Sequence, residues 1–304
     1  MSAATRLAGK PITSLRLSEA TAEHWEQVVE ALAPFTRANR LERLNEVLSK
    51  RRSGVHLVLE NVADPYNVAA ILRTAEGLGV QHVHAIESVN ALHTDPNRRG
   101  SKSVPGPSTK AFTKRAVSNV AMGASRWLTF TRYSSAFDCY AALKEKDVQI
   151  VASDCSPCEA DSAGDEEEPA AAPRRSGGAA AAEHNEVSEE PPEFNAIPIH
   201  DIDFGASEGG VALVFGNERR GVSKAAVQHA DGAFFLPMSG LTQSFNISVA
   251  VAMSLYAVIA SGRFPEGSLS EAERLELLGR WLMRDIKAAR PLLLREAKIE
   301  FTDF

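Results

Sequence analysis

Polar side chains stand at three places where an apolar run of the chain gives way to a loop and then to a helix. The first place carries Asn67 and Arg73, the second carries Glu218, and the third carries Ser244 and Asn246. Loops that follow parallel strands meet at one edge of a sheet, where α/β proteins commonly bind their ligands. These five side chains are therefore expected to converge on one ligand site.

Glycines in the same loops indicate how a ligand could be held there. Gly216 and Gly221 flank Glu218, and Gly240 precedes Ser244. Glycine lets a ligand approach the backbone closely because it has no side chain. This pattern suits a small molecule that is held by main-chain groups.

Each polar side chain also has a simpler, structural interpretation. Arg73 lies in an apolar helical stretch, and its charge could be paired with Glu76 or Glu218. Glu218 could equally belong to a surface ion pair with the arginines that follow it. The other three could be ordinary helix caps: Asn67, Ser244 and Asn246. The occurrence of all five at junctions of one sheet favours a site.

Several other kinds of site are disfavoured by absent motifs. The sequence has no Gly-x-Gly-x-x-Gly after its first strand, no phosphate-binding loop motif and no His-Glu-x-x-His. A dinucleotide site, a P-loop and a metal site are therefore not expected. Cys155 and Cys158 form a two-residue-spaced pair without a second pair of zinc ligands, and we interpret them as free thiols.

The elements that must position these residues form an α/β fold. Residues 55–60 and 80–86 are predicted strands, and the helix between them, 68–78, is expected to begin after Asn67 as its N-cap. Such a unit predicts a parallel sheet with helices on both faces. The remaining elements are listed in chain order: strands 148–152, 211–215 and 233–238, and helices 134–146, 224–230 and 247–260.

Helices are also predicted outside the sheet, at both ends of the chain. Residues 18–33, with Ser18 as N-cap, and 36–52 precede it, and 270–288 follow it. Six basic residues lie along the second of these helices, on the side opposite its apolar stripe: Arg37, Arg40, Arg43, Lys50, Arg51 and Arg52. This face is either solvated or in contact with phosphate.

The net charge of −6 conceals an uneven distribution. Residues 159–193 hold eleven acidic and two basic residues, so the rest of the chain carries a net positive charge. We expect 156–194 to be a disordered acidic insertion, because its composition cannot form a core. Residues 94–115 form a basic loop, which suits contact with a nucleic-acid backbone or is a solvated insertion.

Three sequence stretches resemble the motifs of one enzyme family. They are NVADPYNVAAILRTA (61–75), LVFGNERRGVS (213–223) and LPMSGLTQSFNISVA (236–250). In this order they resemble the three motifs of the SpoU/TrmH branch of the SPOUT RNA methyltransferases, and within that branch the tRNA guanosine 2′-O-methyltransferases. The resemblance implies a parallel sheet with a C-terminal deep trefoil knot, S-adenosylmethionine bound in the knot, and a homodimer.

The resemblance also implies a role for particular residues. Arg73 is at the position proposed to deprotonate the ribose 2′-hydroxyl, and Asn67 is at the position that shapes the site around it. Glu218, Ser244 and Asn246 match the motif residues that order the site. Four further positions match the family's cofactor contacts: Asp154, Gly216, Leu236 and Phe245.

We thus expect an S-adenosylmethionine-dependent RNA 2′-O-methyltransferase acting on a guanosine in the tRNA D-loop. A ribosomal RNA methyltransferase and a catalytically idle RNA-binding protein are the alternatives. The expected division is a helical extension (1–52), a methyltransferase domain (53–262) and a C-terminal helical extension (263–304). No metal is expected, and no run of about eighteen apolar residues predicts a membrane span. The cytoplasm is the expected compartment, with an organelle left open.

Overall fold

The computed structural model describes residues 11–87, 123–153 and 196–304. Their centre is a seven-stranded sheet. All neighbouring strands in it pair in parallel. The predicted parallel α/β architecture is therefore confirmed.

The strands of this sheet are short and mostly buried. In their order across the sheet they are β4 (Thr129–Tyr133), β3 (Val80–Ile86), β2 (Arg52–Glu60), β7 (Val211–Phe215), β5 (Gln149–Ser153), β8 (Gly232–Phe235) and β6 (Ile197–Pro198). In β7 all five side chains are buried, as expected for a central parallel strand covered on both faces. The predicted strand 233–238 ends earlier, at Phe235, and an irregular segment follows it.

Four helices cover the two faces of the sheet. They are α3 (Pro65–Gly77), α4 (Ala136–Lys144), α5 (Lys224–His229) and α6 (Ile247–Ala260). Apolar residues of α3 and α6 share one core with β2 and β7. The opposite face is covered by α4 and α5. The sheet therefore lies between two helical layers, as the sequence pattern indicated.

The two ends of the chain build a second core together. Helices α1 (Ala22–Leu32), α2 (Ala38–Leu48) and α7 (Glu271–Asp285) contribute to it, as does the short helix α8 (Ala289–Leu292). Trp25 and Trp281 are almost fully buried there. Strands β1 (Thr13–Leu15) and β9 (Ile299–Phe301) pair in parallel. The two helical extensions are thus packed against each other.

The first predicted helix was wrong at its start. Ser18 lies in a separate 3-10 turn, Leu17–Glu19, and Thr21 is the N-cap of α1. Thr21 and His24 cap each other reciprocally, which satisfies backbone groups that Ser18 could not reach. The 3-10 turn Ala33–Phe35 then follows the helix.

The predicted basic face of 36–52 was wrong for its last two arginines. Helix α2 ends at Leu48, so the chain has left the helix before Arg51 and Arg52 and runs into β2. Both side chains turn inward, where Arg51 is fully buried. Arg43 and Lys50 remain exposed and pair with Glu46.

The predicted basic loop 94–115 and acidic insertion 156–194 lie outside the described residues, as do Cys155 and Cys158. Cys139 is buried and free. Among the residues that the structure describes, no helix is long and apolar enough to cross a membrane.

Candidate functional site at the carboxyl edge of the sheet

Three loops meet at the carboxyl edge of the sheet. The loop after β2 leads into α3, the loop after β7 leads into α5, and the segment after β8 leads into α6. Because β2 and β7 are adjacent strands and α3 packs on α6, the three loops are brought side by side. The structure thus places the polar residues of the three motifs in one region.

Helix α3 starts earlier than predicted, and Asn67 is not its N-cap. Asp64 is the cap, and its carboxylate accepts a hydrogen bond of 2.8 Å from the N–H of Tyr66. Pro65 occupies the first helical position, where its fixed φ is favourable and its missing N–H costs nothing. The side chain of Asn67 is therefore available for contacts with the other two loops.

A chain of side-chain hydrogen bonds joins the three motifs. Asn67 donates through Nδ2 to Oε1 of Glu218 at 3.1 Å. Asn246 donates through Nδ2 to Oδ1 of Asn67 at 3.1 Å. Asn246 is also the N-cap of α6, because its Oδ1 accepts from the N–H of Ser248 at 2.9 Å. Asn67 is thus held between an acceptor and a donor, which fixes the orientation of its amide.

Glu218 ties the second loop to the start of α3. Its carboxylate accepts from the backbone N–H of Ala63 at 3.0 Å and of Asp64 at 3.1 Å. Partial burial by itself would raise the pKa of Glu218, but these backbone hydrogen bonds and the one from Asn67 outweigh it and lower the pKa. The carboxylate form is therefore stabilised. The surface ion pair suggested for Glu218 is replaced by these contacts.

The second loop is a tight turn closed on itself. Asn217 donates its backbone N–H to the carbonyl of Gly221 at 2.9 Å, and Gly221 returns the bond at 2.8 Å. Gly216 is buried, and a Cβ on it would lie 2.0 Å from the carbonyl oxygen of Gly221. Any larger residue at position 216 would therefore force the turn open.

Two residues of the site were missed from the sequence. Asn217 donates through Nδ2 to the carbonyl of Asn61 at 2.8 Å, which joins the second loop to the first. Glu60, buried at the end of β2, accepts from the N–H of Ser223 at 2.9 Å. A polar residue at the last position of a buried strand was the available signal for Glu60, and Asn at the start of a turn was the signal for Asn217.

Arg73 does not have the structural partner that its position suggested. Its side chain is exposed, and no ion pair or hydrogen bond joins it to any residue in the described part of the chain. Glu76 is paired with Arg51 instead, and Glu218 is bound to Asn67. The guanidinium of Arg73 is thus turned to solvent and open to an anionic ligand.

The segment between β8 and α6 offers backbone groups to a ligand. Within the described residues, 237–245 make no backbone–backbone hydrogen bond. Leu236 and Phe245, at its two ends, are half-buried, whereas Ser244 is exposed and makes no hydrogen bond among the described residues. Both residues were considered as helix caps: Asn246 caps α6, whereas Ser244 caps no helix. Asp154 lies outside the described residues.

This arrangement suits a ligand with both apolar and polar parts. Leu236 and Phe245 can cover an apolar ring, and free backbone groups can bind its polar edge, as small-molecule sites require. No group of three or more His, Cys, Asp or Glu that could hold a metal occurs among the described residues. The fold is that of an α/β protein, and the edge of its parallel sheet carries a candidate small-molecule site.

Comparison with known proteins shows which proteins this chain is similar to. Residues 180–256 match the model of the SpoU rRNA Methylase family. The chain is 25% identical over 249 residues to the tRNA (guanosine(18)-2′-O)-methyltransferase of Thermus thermophilus, which covers 81% of this chain and 96% of that protein. The resemblance to the SpoU/TrmH branch is confirmed.

Two further similarities agree with it. The 23S rRNA (guanosine-2′-O-)-methyltransferase RlmB of Haemophilus ducreyi is 23% identical over 244 residues, 80% of this chain and 74% of that protein. The crystal structure of the Aquifex aeolicus TrmH/SpoU tRNA modifying enzyme has a TM-score of 0.55 and 24% identity, and covers 82% of this chain and 97% of that chain. The latter shows that the fold is shared.

Proposed function

We propose that this protein is an S-adenosylmethionine-dependent RNA 2′-O-methyltransferase and that its substrate is a guanosine in the D-loop of tRNA. The observation that carries the proposal is the hydrogen-bonded chain Glu218–Asn67–Asn246, which joins all three motifs of the family. The Thermus relative, which matches along most of both chains, supports tRNA as the substrate class.

The cofactor site in this proposal lies between the second and third loops. Leu236, Phe245 and the backbone of 237–245 would hold S-adenosylmethionine, with Gly216 allowing the close approach of the neighbouring loop. Asp154 belongs to the proposal through the motif resemblance alone. When bound, S-adenosylmethionine supplies an electrophilic methyl group.

The residues of this chain would orient the ribose and remove its proton. Arg73 would meet the 2′-hydroxyl, but a guanidinium is a donor of hydrogen bonds and a poor acceptor of protons. A substrate phosphate near Arg73 would have to share the proton. Asn67, held by Glu218 and Asn246, would fix the geometry beside it, and Ser244 would line the same side.

The chain path supports the knot as part of the proposal. Strand β7 lies between β2 and β5, and β8 lies beyond β5, while α6 returns to pack with α3 on one face. A chain that doubles back in this way can pass through an earlier loop. A crystal structure in which 236–262 runs outside the preceding loops would refute this part.

We also propose a homodimer formed through α6. Three apolar side chains along this helix are exposed, at 45% for Val249, 41% for Met253 and 65% for Tyr256. Tyr66, in the first turn of α3, is exposed as well. An apolar stripe of this kind on helices that already pack together suits a second copy of the chain. Sedimentation should give a dimer, and Tyr256→Glu should shift it towards monomer.

The proposed domain divisions are 1–52, 53–262 and 263–304, and the two extensions share one core. The proposed compartment is the cytoplasm. The shared core of α1, α2 and α7 supports the grouping of the extensions.

The function is tested by methyl transfer from labelled S-adenosylmethionine to an unmodified tRNA transcript, followed by mapping of the modified nucleotide. We expect label at a D-loop guanosine and none on a transcript that already carries the 2′-O-methyl group there. Arg73→Ala should abolish most of the transfer, while Arg295→Ala, at an exposed arginine of the C-terminal extension, should not.

Two other results would redirect the proposal. Label in ribosomal RNA but not in tRNA would favour the ribosomal alternative, which the family model and the Haemophilus relative support. Calorimetry that detects no binding of S-adenosylmethionine would favour an idle RNA-binding protein.

A further inference from the structure

The junction between the N-terminal extension and the sheet contains a fully buried arginine. Arg51, with 0% of its surface exposed, lies between α2 and β2. It donates through Nη2 to Oε1 of Glu76 at 2.9 Å. Through Nη1 it reaches the carbonyls of Glu76 and Val80, both at 3.3 Å. One guanidinium thus binds three acceptors at a single turn of the chain.

These acceptors lie on both sides of the turn that ends α3. Glu76 is in the last turn of α3, and Val80 is the first residue of β3. Gly79 between them has a φ of +77°, and a Cβ on it would lie 2.6 Å from the carbonyl oxygen of Lys50. The turn is therefore pressed against the backbone just before Arg51, which leaves the end of α3 little freedom to shift.

The same side chain contacts the C-terminal extension. The guanidinium carbon of Arg51 lies 5.4 Å from the centre of the Trp281 ring, in α7. Trp281 is 1% exposed and belongs to the core that the two extensions share. Arg51 consequently joins that core to the end of α3.

Helix α3 carries both Asn67 and Arg73. Arg73 precedes Glu76 by three residues, which is about one turn, or 4.5 Å along the axis. The side chain of Arg73 makes no ion pair or hydrogen bond within the described ranges. Its position is therefore set by the position of the helix backbone that carries it. Apolar packing of Leu72 and Ala75 holds the buried face of this part of the helix, and the hydrogen bond from Arg51 to Glu76 is the side-chain hydrogen bond on α3 that lies closest in sequence to Arg73 among the described residues.

We propose that Arg51 is a positioning residue for the methyl transfer, which acts by holding the end of α3 so that Arg73 meets the ribose. This inference rests on the proposed function. It also links α7 to the end of α3, because the ring of Trp281 lies against the same guanidinium.

A positioning role for Arg51 can be distinguished from a role in stability alone. Replacing a buried ion pair often leaves stability unchanged or increased, so stability alone does not report on positioning. Lysine keeps the charge but lacks the planar fork that binds several acceptors at once. Arg51→Lys therefore tests the fork rather than the charge.

The experiment is a double-mutant cycle on single-turnover methyl transfer, comparing wild type, Arg51→Lys, Arg73→Ala and the double variant. Rates are divided by the number of S-adenosylmethionine-binding sites found by calorimetry, so that unfolded protein does not count. Arg51→Lys should slow transfer about tenfold or more, because displacements of about 1 Å have such effects. Its KM for S-adenosylmethionine should not change, and in the Arg73→Ala background it should cause no further loss.

Arg280→Lys is the matched control. Arg280 pairs with Glu276 at 2.8 Å and lies 5.0 Å from the ring of Trp25, so it has the same kinds of partner but none on α3. This variant should transfer methyl groups at the wild-type rate. A loss equal to that of Arg51→Lys would overturn the proposal, and so would additive losses in the cycle.

Hydrogen exchange provides a second measurement that does not depend on activity. Amides of 66–77 should exchange about tenfold faster in Arg51→Lys than in wild type, and at the wild-type rate in Arg280→Lys. An unchanged exchange rate in Arg51→Lys would contradict the proposal that Arg51 holds the end of α3. If wild-type protein methylates neither tRNA nor ribosomal RNA, the proposed function has failed, and the exchange data still show whether Arg51 holds the helix.

Discussion

Three histidines on neighbouring strands make the stability of this protein sensitive to acid. His56, in β2, and His84, in β3, are buried and joined by a hydrogen bond of 3.1 Å between Nδ1 and Nε2. His82 stacks on His56 with 5.0 Å between ring centres. On its other side His84 shares a hydrogen bond of 3.3 Å with the hydroxyl of Tyr133. The partners named here are other imidazole rings and a hydroxyl, and none of them is a carboxylate.

The pKa values of these histidines are accordingly low. Burial, with His82 and Lys146 nearby, lowers the pKa of His84 from 6.5 to about 3. Burial, with Lys146 nearby, lowers that of His82 to about 4, although Glu273 opposes the effect. Burial and the two other histidines also hold the pKa of His56 well below its ordinary value. All three rings are neutral in the folded protein at neutral pH.

The sign of the pH effect follows from where the proton binds. Below pH 6.5 the unfolded chain protonates His84, whereas the folded protein does not until about pH 3. Stability is therefore lost as the pH falls through this window, by about 1.4 kcal/mol for each pH unit and each histidine. Between pH 7 and pH 5 the contribution of His84 alone is about 2 kcal/mol.

Urea unfolding of wild type and His84→Gln at pH 7, 6 and 5 measures this contribution. Glutamine keeps a polar partner for His56 and Tyr133 but cannot be protonated. The difference in unfolding free energy between the two proteins should move by about 2 kcal/mol in favour of the variant as the pH falls. His200→Gln, at an exposed histidine, is the control and should show almost no such change. A constant difference for His84→Gln between pH 7 and pH 5 would refute the reasoning.

Three further predictions concern the site and the second core. Glu218→Gln should lower the unfolding free energy by about 1 kcal/mol at pH 7, and by progressively less as the pH falls through the lowered pKa of Glu218, because the carboxylate that accepts the hydrogen bonds becomes protonated; urea midpoints check this. Gly216→Ala should weaken S-adenosylmethionine binding in calorimetry, since its Cβ would collide with Gly221, and unchanged affinity would contradict the packing. Trp281→Ala should cost about 3–5 kcal/mol in urea unfolding, and a loss below 1 kcal/mol would contradict its burial.

Much of the site could be predicted from the sequence because its residues lie at recognisable junctions. Strands β3 and β7 begin and end at the predicted residues, and so does α6. Continuous apolar runs bounded by polar loops identify buried parallel strands without knowledge of their neighbours. Because the strands are parallel, their carboxyl ends share one edge of the sheet. The three motifs lie in the loops after these strands, so they lie at that edge.

The hydrogen-bond partners could not be predicted, since they depend on which loops touch. Asn67 was expected to cap its own helix, but it instead binds Glu218 and Asn246, about 150 and 180 positions away. Asp64 was the local competitor for the cap, and Pro65 after it decided the outcome. Pro65 thus selects the cap locally, whereas the partners of Asn67 depend on how the other two loops approach α3.

The sequence by itself determined the parallel sheet, the three loop–helix junctions and the family resemblance, because each depends on residues that are close along the chain. Tertiary structure alone decided that Arg51 is buried against Glu76 and Trp281, and that Arg73 is left exposed. It also decided that the two chain ends share one core, with Trp25 and Phe301 stacked at 5.5 Å. These contacts join residues that are distant in sequence, and their formation depends on packing that no local pattern encodes.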